Sequence, residues 1–300
     1  MKMKKYIWLL ILLAPLQGLA QKADRKLEAR LQEMLKGYPG DAGVYVKNLR
    51  TGKVAMINAD TVFPTASIVK VSIQLGVMRL MQQGLLHYDS SHVYRDSLLY
   101  EGEDILGSFK DGEQIALKKI IMLMLTTSDN TASLWLQKLA GGGIAINRLL
   151  DSLGYEHTRI NSRTPGREQI RAIYGWGQTT PAEMGRMLEQ LYRGELLSPE
   201  LSTRMARNLS RNFWDMNEAI SMIPPYISVW SKNGCVDASR SEVLLVNAPN
   251  NPYIFCIFTK KNQDTSWRRT NAGWTLARKI SGMLWEYFEP KDKWNGPSPD

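Results

Sequence analysis

Strand patterning sits at the two ends of this chain and helical patterning fills its middle, an order that few folds accommodate. Val44 and Val46, then Val54 and Met56, alternate on either side of Leu49-Arg50-Thr51-Gly52, whose glycine suits a tight hairpin turn. An amphipathic helix is expected just before it, over residues 23–37. Helical periodicity then takes over at residues 67–83, 117–125, 131–139, 144–153, 181–192 and 199–208. Strand-like composition returns at 227–231, 242–246 and 253–259, and a last helix is expected over about 271–288. The pattern predicts an α+β fold: a five-stranded antiparallel sheet built from both chain ends with packed helices, plus an inserted all-helical domain. The expected boundaries are 21–66 and 210–300 for the sheet domain and 67–209 for the helical one. Active sites favour such junctions. Residues 160–180, rich in proline, glycine and arginine, read as one long irregular loop, a kind of segment that is functional or disordered in compact domains.

Residues 1–20 form a basic start (Lys2, Lys4, Lys5), an apolar run and a small-residue end at Gly18-Leu19-Ala20, which is the pattern of a secretory signal peptide. The run is short for a membrane-spanning helix, so export to the periplasm without stable membrane insertion is expected. Removal of that segment lowers the formal charge from +9 to +6, because three lysines and no acid leave with it. The remaining charge is spread along the chain, with no basic and aromatic stripe, which argues against nucleic acid and for an anionic substrate or envelope polymer. The two cysteines, Cys235 and Cys256, permit a disulfide in that compartment without demanding one. The histidines (His87, His92, His157) fall in no triad or metal-ligand pattern, so no metal or other cofactor is called for, and a monomer is expected.

Three polar clusters interrupt apolar surroundings. In Pro64-Thr65-Ala66-Ser67-Ile68-Val69-Lys70, Ser67 and Lys70 stand three residues apart at the start of a buried helical segment and share one face of its first turn. A helix N-terminus stabilises a developing alkoxide, and a desolvated lysine one turn away can take the proton. Taken alone such a pair means little, since about one would occur by accident in a chain of this composition. The other clusters are Thr126-Thr127-Ser128-Asp129-Asn130-Thr131 and Ser231-Lys232-Asn233-Gly234-Cys235. Read as structure, the first caps a helix through Asp129 or Asn130 and the second ends a strand. The three occur in the order and approximate separation of the serine-lysine, Ser-Asp-Asn and Lys-(Thr/Ser)-Gly motifs of penicillin-recognising enzymes.

On these motifs the chain resembles the class A β-lactamase family, within the wider group of penicillin-recognising serine enzymes, over nearly all of its length beyond residue 20. The resemblance implies that Ser67 is the acylated nucleophile, Lys70 its proton acceptor or relay, and Ser128 the donor to the leaving nitrogen. Asn130 is then expected to hydrogen-bond the substrate's side-chain amide, Lys232 to attract its carboxylate, and Arg240 to be a second carboxylate-binding cation. The backbone N–H groups of Ser67 and Cys235 are expected to form the oxyanion hole, each donor worth on the order of 3 kcal/mol.

Some positions depart from the family. Its members carry a glutamate on the long loop that activates water to release the acyl group; alignment places Thr164 there. Threonine is no general base, and loss of such a base slows deacylation by roughly 10²–10⁴. Glu168, one helical turn further, is the expected substitute. Ser162 and Gly177 stand where an arginine and aspartate would clamp the loop, and Asn233 replaces the hydroxyl residue of the third motif. The expected function is therefore an exported serine hydrolase acylated by a small-molecule β-lactam or a peptidoglycan stem peptide. The alternatives are a D,D-peptidase-like cell-wall enzyme and a penicillin-binding module that stays acylated.

Overall fold

The computed structural model describes residues 22–102, 104–294 and 296; the expected signal peptide, residues 1–20, lies outside the described residues. The chain opens with helix α1 (Arg25–Leu35), capped by the Asp24 carboxylate accepting from the Leu27 N–H, and the hairpin β1 (Asp41–Asn48) and β2 (Val54–Ile57). A short strand β3 (Phe63–Pro64) and a 3-10 turn, Ala66–Ile68, lead into α2 (Val69–Gln82). The small ribbon β4 (Ser91–Val93) and β5 (Gln114–Ala116) precedes α3 (Leu117–Thr126), α4 (Asn130–Leu139) and α5 (Gly142–Ser152). Then follow β6 (Arg159–Ile160), α6 (Glu168–Tyr174), β7 (Gly177–Thr179), α7 (Pro181–Tyr192) and α8 (Pro199–Leu209). The chain closes with β8 (Val229–Val236), β9 (Ser239–Val246), β10 (Tyr253–Lys260) and α9 (Ala272–Phe288).

The main sheet has the order β2-β1-β10-β9-β8, and every neighbouring pair is antiparallel. Both ends of the chain meet at β1 and β10, in register from Asp41 opposite Lys260 to Asn48 opposite Tyr253. Side chains alternate between two cores, as the two-residue period of a strand requires. Val44, Leu244, Phe255 and Ile257 face α1 and α9, whereas Tyr45, Val243, Ile254 and Phe258 join the apolar core of the helices. The sheet is thus covered on both faces. Helix α7, which sequence patterning assigns to the helical insert, packs across β1 and β10 and is part of that cover.

Three local differences from expectation bear on the site. The helix expected from residue 67 begins with a 3-10 turn, because Ala66 takes φ 43°, a left-handed conformation that non-glycine residues rarely adopt. The strand expected over 227–231 runs instead from Val229 through Val236, so the Lys232-Asn233-Gly234-Cys235 cluster lies within it rather than at its end. The segment 160–180 is not irregular: β3, β7 and β6 form a three-stranded sheet around α6. Strands of two or three residues hold too little alternation to be read, and a seven-residue helix too little period. Among the described residues no helix is long and apolar enough to cross a membrane.

Candidate active site

Ser67 sits on the 3-10 turn, half-buried, with the turn fixed from two sides. From below, the Thr65 N–H donates to the Gly177 carbonyl at 2.9 Å. From the side, β8 presses against it at Gly234, where a Cβ would stand 2.3 Å from the Thr65 carbonyl oxygen and 3.0 Å from the Ile68 nitrogen. Only glycine permits strand and turn to meet this closely. The glycine of the third cluster therefore sets the distance between the nucleophile's turn and the strand that carries Lys232 and Cys235.

Lys70, on the first turn of α2, is fully buried, and its ammonium is the hub of the site. It donates to Ser67 Oγ at 2.9 Å, to Ser128 Oγ at 3.0 Å, to Asn130 Oδ1 at 2.9 Å and to the Ser128 carbonyl. The first and second polar clusters are thereby brought together. With four oxygens around three protons, either hydroxyl can reverse its bond and donate to the nitrogen once the lysine is neutral. Trp176 covers the ammonium, its ring centre 5.9 Å away, and Tyr100 meets that ring edge-on at 5.2 Å.

The turn between α3 and α4 holds Ser128 at φ 66°, a second left-handed residue at the site. Asp129 is the cap of α4: its carboxylate accepts the N–H of Ala132 at 2.7 Å, and those of Ile105 and Leu106 at 2.7 and 2.8 Å. Burial still raises its pKa, and these backbone donors only partly offset the effect. The Trp214 indole closes the other side of the turn by donating to the Thr127 carbonyl at 3.0 Å.

On β8, Lys232 is fully buried and donates to the carbonyl and the Oδ1 of Asn233, at 2.9 and 3.0 Å. The Asn233 amide in turn donates to Glu218 Oε1 at 3.3 Å. Behind them lies Glu242 of β9, also fully buried, accepting the N–H groups of Ala219 and Ile220. Burial raises both carboxyl pKa values, that of Glu242 well above its ordinary value, and the nearby Glu218 charge raises Glu242 further. Sequence reading missed both acids, since each sits alone in its segment and only the fold joins them.

The structure corrects two expected site residues. Arg240 does not reach the cleft: its buried guanidinium donates to the carbonyls of Val236, Asp237, Ser239, Thr265 and Ser266 and lies 4.5 Å over Trp267. The tight β8–β9 connection, in which Val236 pairs with Ser239, folds this side chain back on its own turn. Glu168 stands exposed at the start of α6, where it accepts the Gly166 N–H at 3.1 Å, and it does not line the cleft. Thr164 is buried and donates to the Ser162 carbonyl at 2.9 Å, packed so closely on α5 that a Cβ at Gly143 would overlap its hydroxyl.

Hydrogen bonds hold the loop in place. Gln137 of α4 donates to the Ser162 carbonyl at 2.6 Å and accepts from the Ser162 hydroxyl at 3.0 Å, while Arg167 donates to Asn161 and Gln178. At its foot Glu183 of α7 accepts the N–H groups of Glu156, His157 and Thr158 and the Thr158 hydroxyl. Burial opposes its charge, yet these bonds together hold its carboxyl below the usual value.

Between loop, turn and β8 opens a cleft of about 740 Å³. Among the described residues Ser67, Asn130 and Cys235 line it, with Tyr100, Tyr174 and Trp176 as an aromatic wall and with Lys260 and Lys261, and none of the lining residues is a carboxylate. Cys235 forms no disulfide with Cys256, whose thiol is buried in the sheet core with its pKa pushed well up by desolvation. No group of three or more His, Cys, Asp or Glu among the described residues could hold a metal.

A five-stranded antiparallel sheet with helices on both faces and a serine turn at its junction with a helical region defines the class of serine β-lactamases and penicillin-binding proteins. The solved structure of PBP-A superposes with a TM-score of 0.80 at 24% identity, covering 90% of this chain and 98% of that one. A β-lactamase from Sphaerobacter thermophilus superposes at 0.78 with 22% identity, over 90% of this chain and all of that one. Among curated proteins, the β-lactamase VEB-1 of Pseudomonas aeruginosa is 22% identical over 87% of this chain and 90% of its own length. ROB-1 of Haemophilus influenzae is 25% identical over 82% and 80%. The profile of the β-lactamase enzyme family matches residues 26–288, and the chain belongs to that family.

Proposed function

We propose that this protein is an exported, periplasmic, monomeric serine hydrolase acylated at Ser67 by β-lactams or related peptidoglycan amides. The single observation that carries the reading is the Lys70 ammonium nitrogen placed 2.9 Å from Ser67 Oγ and 3.0 Å from Ser128 Oγ. In its neutral form Lys70 takes the Ser67 proton as Oγ attacks the amide carbonyl, and Ser128 delivers a proton to the nitrogen that leaves. The N–H groups of Ser67 and Cys235 receive the carbonyl oxygen, Asn130 the substrate's side-chain amide, and Lys232 with Asn233 its other end. PBP-A has been solved as an acyl-enzyme complex with penicillin G in a mutant form of the same fold, which favours this class of acylating agent.

Release of the acyl group is the slow half of the cycle. Among the described residues no acid lines the cleft, Thr164 faces α5, and Glu168 accepts from Gly166, so none of them is positioned as a base for water. That observation also favours the second reading, a D,D-peptidase-like or penicillin-binding activity. Intact-mass spectrometry after brief and long exposure to benzylpenicillin, with Ser67→Ala as control, tests both. A drug-mass adduct on Ser67 that persists for hours is expected; its rapid loss with penicilloate accumulating would establish a working β-lactamase, and no adduct would overturn the reading.

A further inference from the structure

A substrate bonded to Ser67 has two directions in which to extend, and they differ in charge. Among the described residues the large cleft is lined by Lys260 and Lys261 and no acid. On the other side of Ser67 and Ser128 lies a small pocket of about 140 Å³, walled by Glu218, Asn233, Trp214, Trp267 and Trp274. The substrate carboxylate expected at Lys232 would enter here, beside its β8 neighbour Asn233.

Its wall is built against that ligand. Both polar ends of Asn233 are engaged within the protein, Oδ1 with Lys232 and the amide with Glu218. Glu218 is only 6% exposed, lines the pocket itself, and is held by the Asn217 N–H at 2.8 Å. The charged groups facing it are Lys232 from β8, Glu242 from β9, Asp215 from its own loop and Arg278 from α9, which donates to the Asn217 carbonyl. Glu218 places a carboxyl group in the wall of the pocket, near Lys232, and an incoming carboxylate meets it in a water-poor pocket.

We infer that Glu218 is a specificity-determining residue that sets the small pocket against a free carboxylate, so that the preferred substrate presents there an uncharged end, an amide or an ester. The inference rests on the proposed function and names the substrate class of that same site. It also carries a pH sign. Because the Glu218 pKa is raised, the group takes up its proton at a higher pH than an ordinary glutamate, and acidification frees Lys232 for an anionic ligand.

Benzylpenicillin and its methyl ester differ by that one charge. Their binding to Ser67→Ala protein, measured by calorimetry at about pH 5 and about pH 8, is expected to favour the ester at the higher pH, with the acid gaining as pH falls. Glu218→Gln is expected to tighten the acid about tenfold or more at the higher pH, leave the ester unchanged and flatten the pH dependence. Glu218→Asp keeps the discrimination. If Glu218→Gln fails to fold, the acid-to-ester ratio of the Ser67→Ala protein against pH decides alone. Equal binding of acid and ester at both pH values, or equal effects of Glu218→Gln on both, overturns the inference even where Ser67 is acylated; no binding of either compound, with no adduct, overturns it together with the proposed function.

Discussion

The two walls of the cleft are built by opposite means. On one, Ser67, Lys70, Ser128 and Asn130 crowd around a single buried ammonium, with two residues held in left-handed conformations to bring them there. On the other, residues 161–180 are tied to α4 by neutral bonds between Gln137 and Ser162 and present aromatic surface, while Glu168 stands exposed and Glu183 of α7 braces the loop's foot. The first wall concentrates reactive groups; the second excludes them. Under the proposed function one wall holds the groups that form the acyl bond, while no carboxylate among the described residues lines the cleft, so the two steps draw on different segments of the chain.

Replacing the hub should break the comparison most. Lys70→Met should slow adduct formation by about 10³-fold or more, followed by mass spectrometry against a β-lactam, with the melting temperature reported alongside; an unchanged rate would mean another group takes the Ser67 proton. Next in size is Gly234→Ala. A methyl there meets backbone, which cannot yield as a side chain does, so about 2–3 kcal/mol of stability should be lost in denaturant unfolding, and acylation should weaken as β8 retreats from the Ser67 turn.

On the loop side, Glu183→Gln should cost about 1–3 kcal/mol by weakening the acceptor of backbone N–H groups. Its folded-state pKa is lowered, so this contribution is present above the group's ordinary pKa and is lost as pH falls through the lowered value. The gap between native and variant unfolding midpoints should therefore close in acid; a gap constant with pH would assign the effect to something other than charge. The smallest change is expected from Thr164→Glu, which should speed release of the acyl group by less than about tenfold, because the native side chain faces Gly143 on α5. A larger acceleration would show that the loop readily turns this position toward the cleft.

What could be read from sequence followed the strength of local signals. Helix α7 was legible to the residue, since Thr180 caps it and Pro181 opens it. The apolar runs of β9 and β10 were plain as well, although β9 begins at Ser239, before the expected 242. Ser67, Lys70, Ser128, Asn130 and Lys232 stood out as polar residues in apolar runs, and the fold lines Ser67 and Asn130 along one cleft with Cys235. Arg240 and Glu168 looked equally functional by position, but side-chain direction depends on the tight β8–β9 turn and on a helix too brief to detect. Glu218, Glu242, Gln137 and Trp176 left no local trace, because their partners lie on distant segments.

The pairing of β1 with β10 also imposes a timetable. A chain made from its N-terminus holds the β1–β2 hairpin with one edge open while the whole helical region is synthesised, and long-range pairing of this kind is slow to form. Gly234 reaches the Ser67 turn only once β8 has joined the sheet beside β9 and β10. A chain that stops short of β8 therefore lacks the strand against which the Ser67 turn is set.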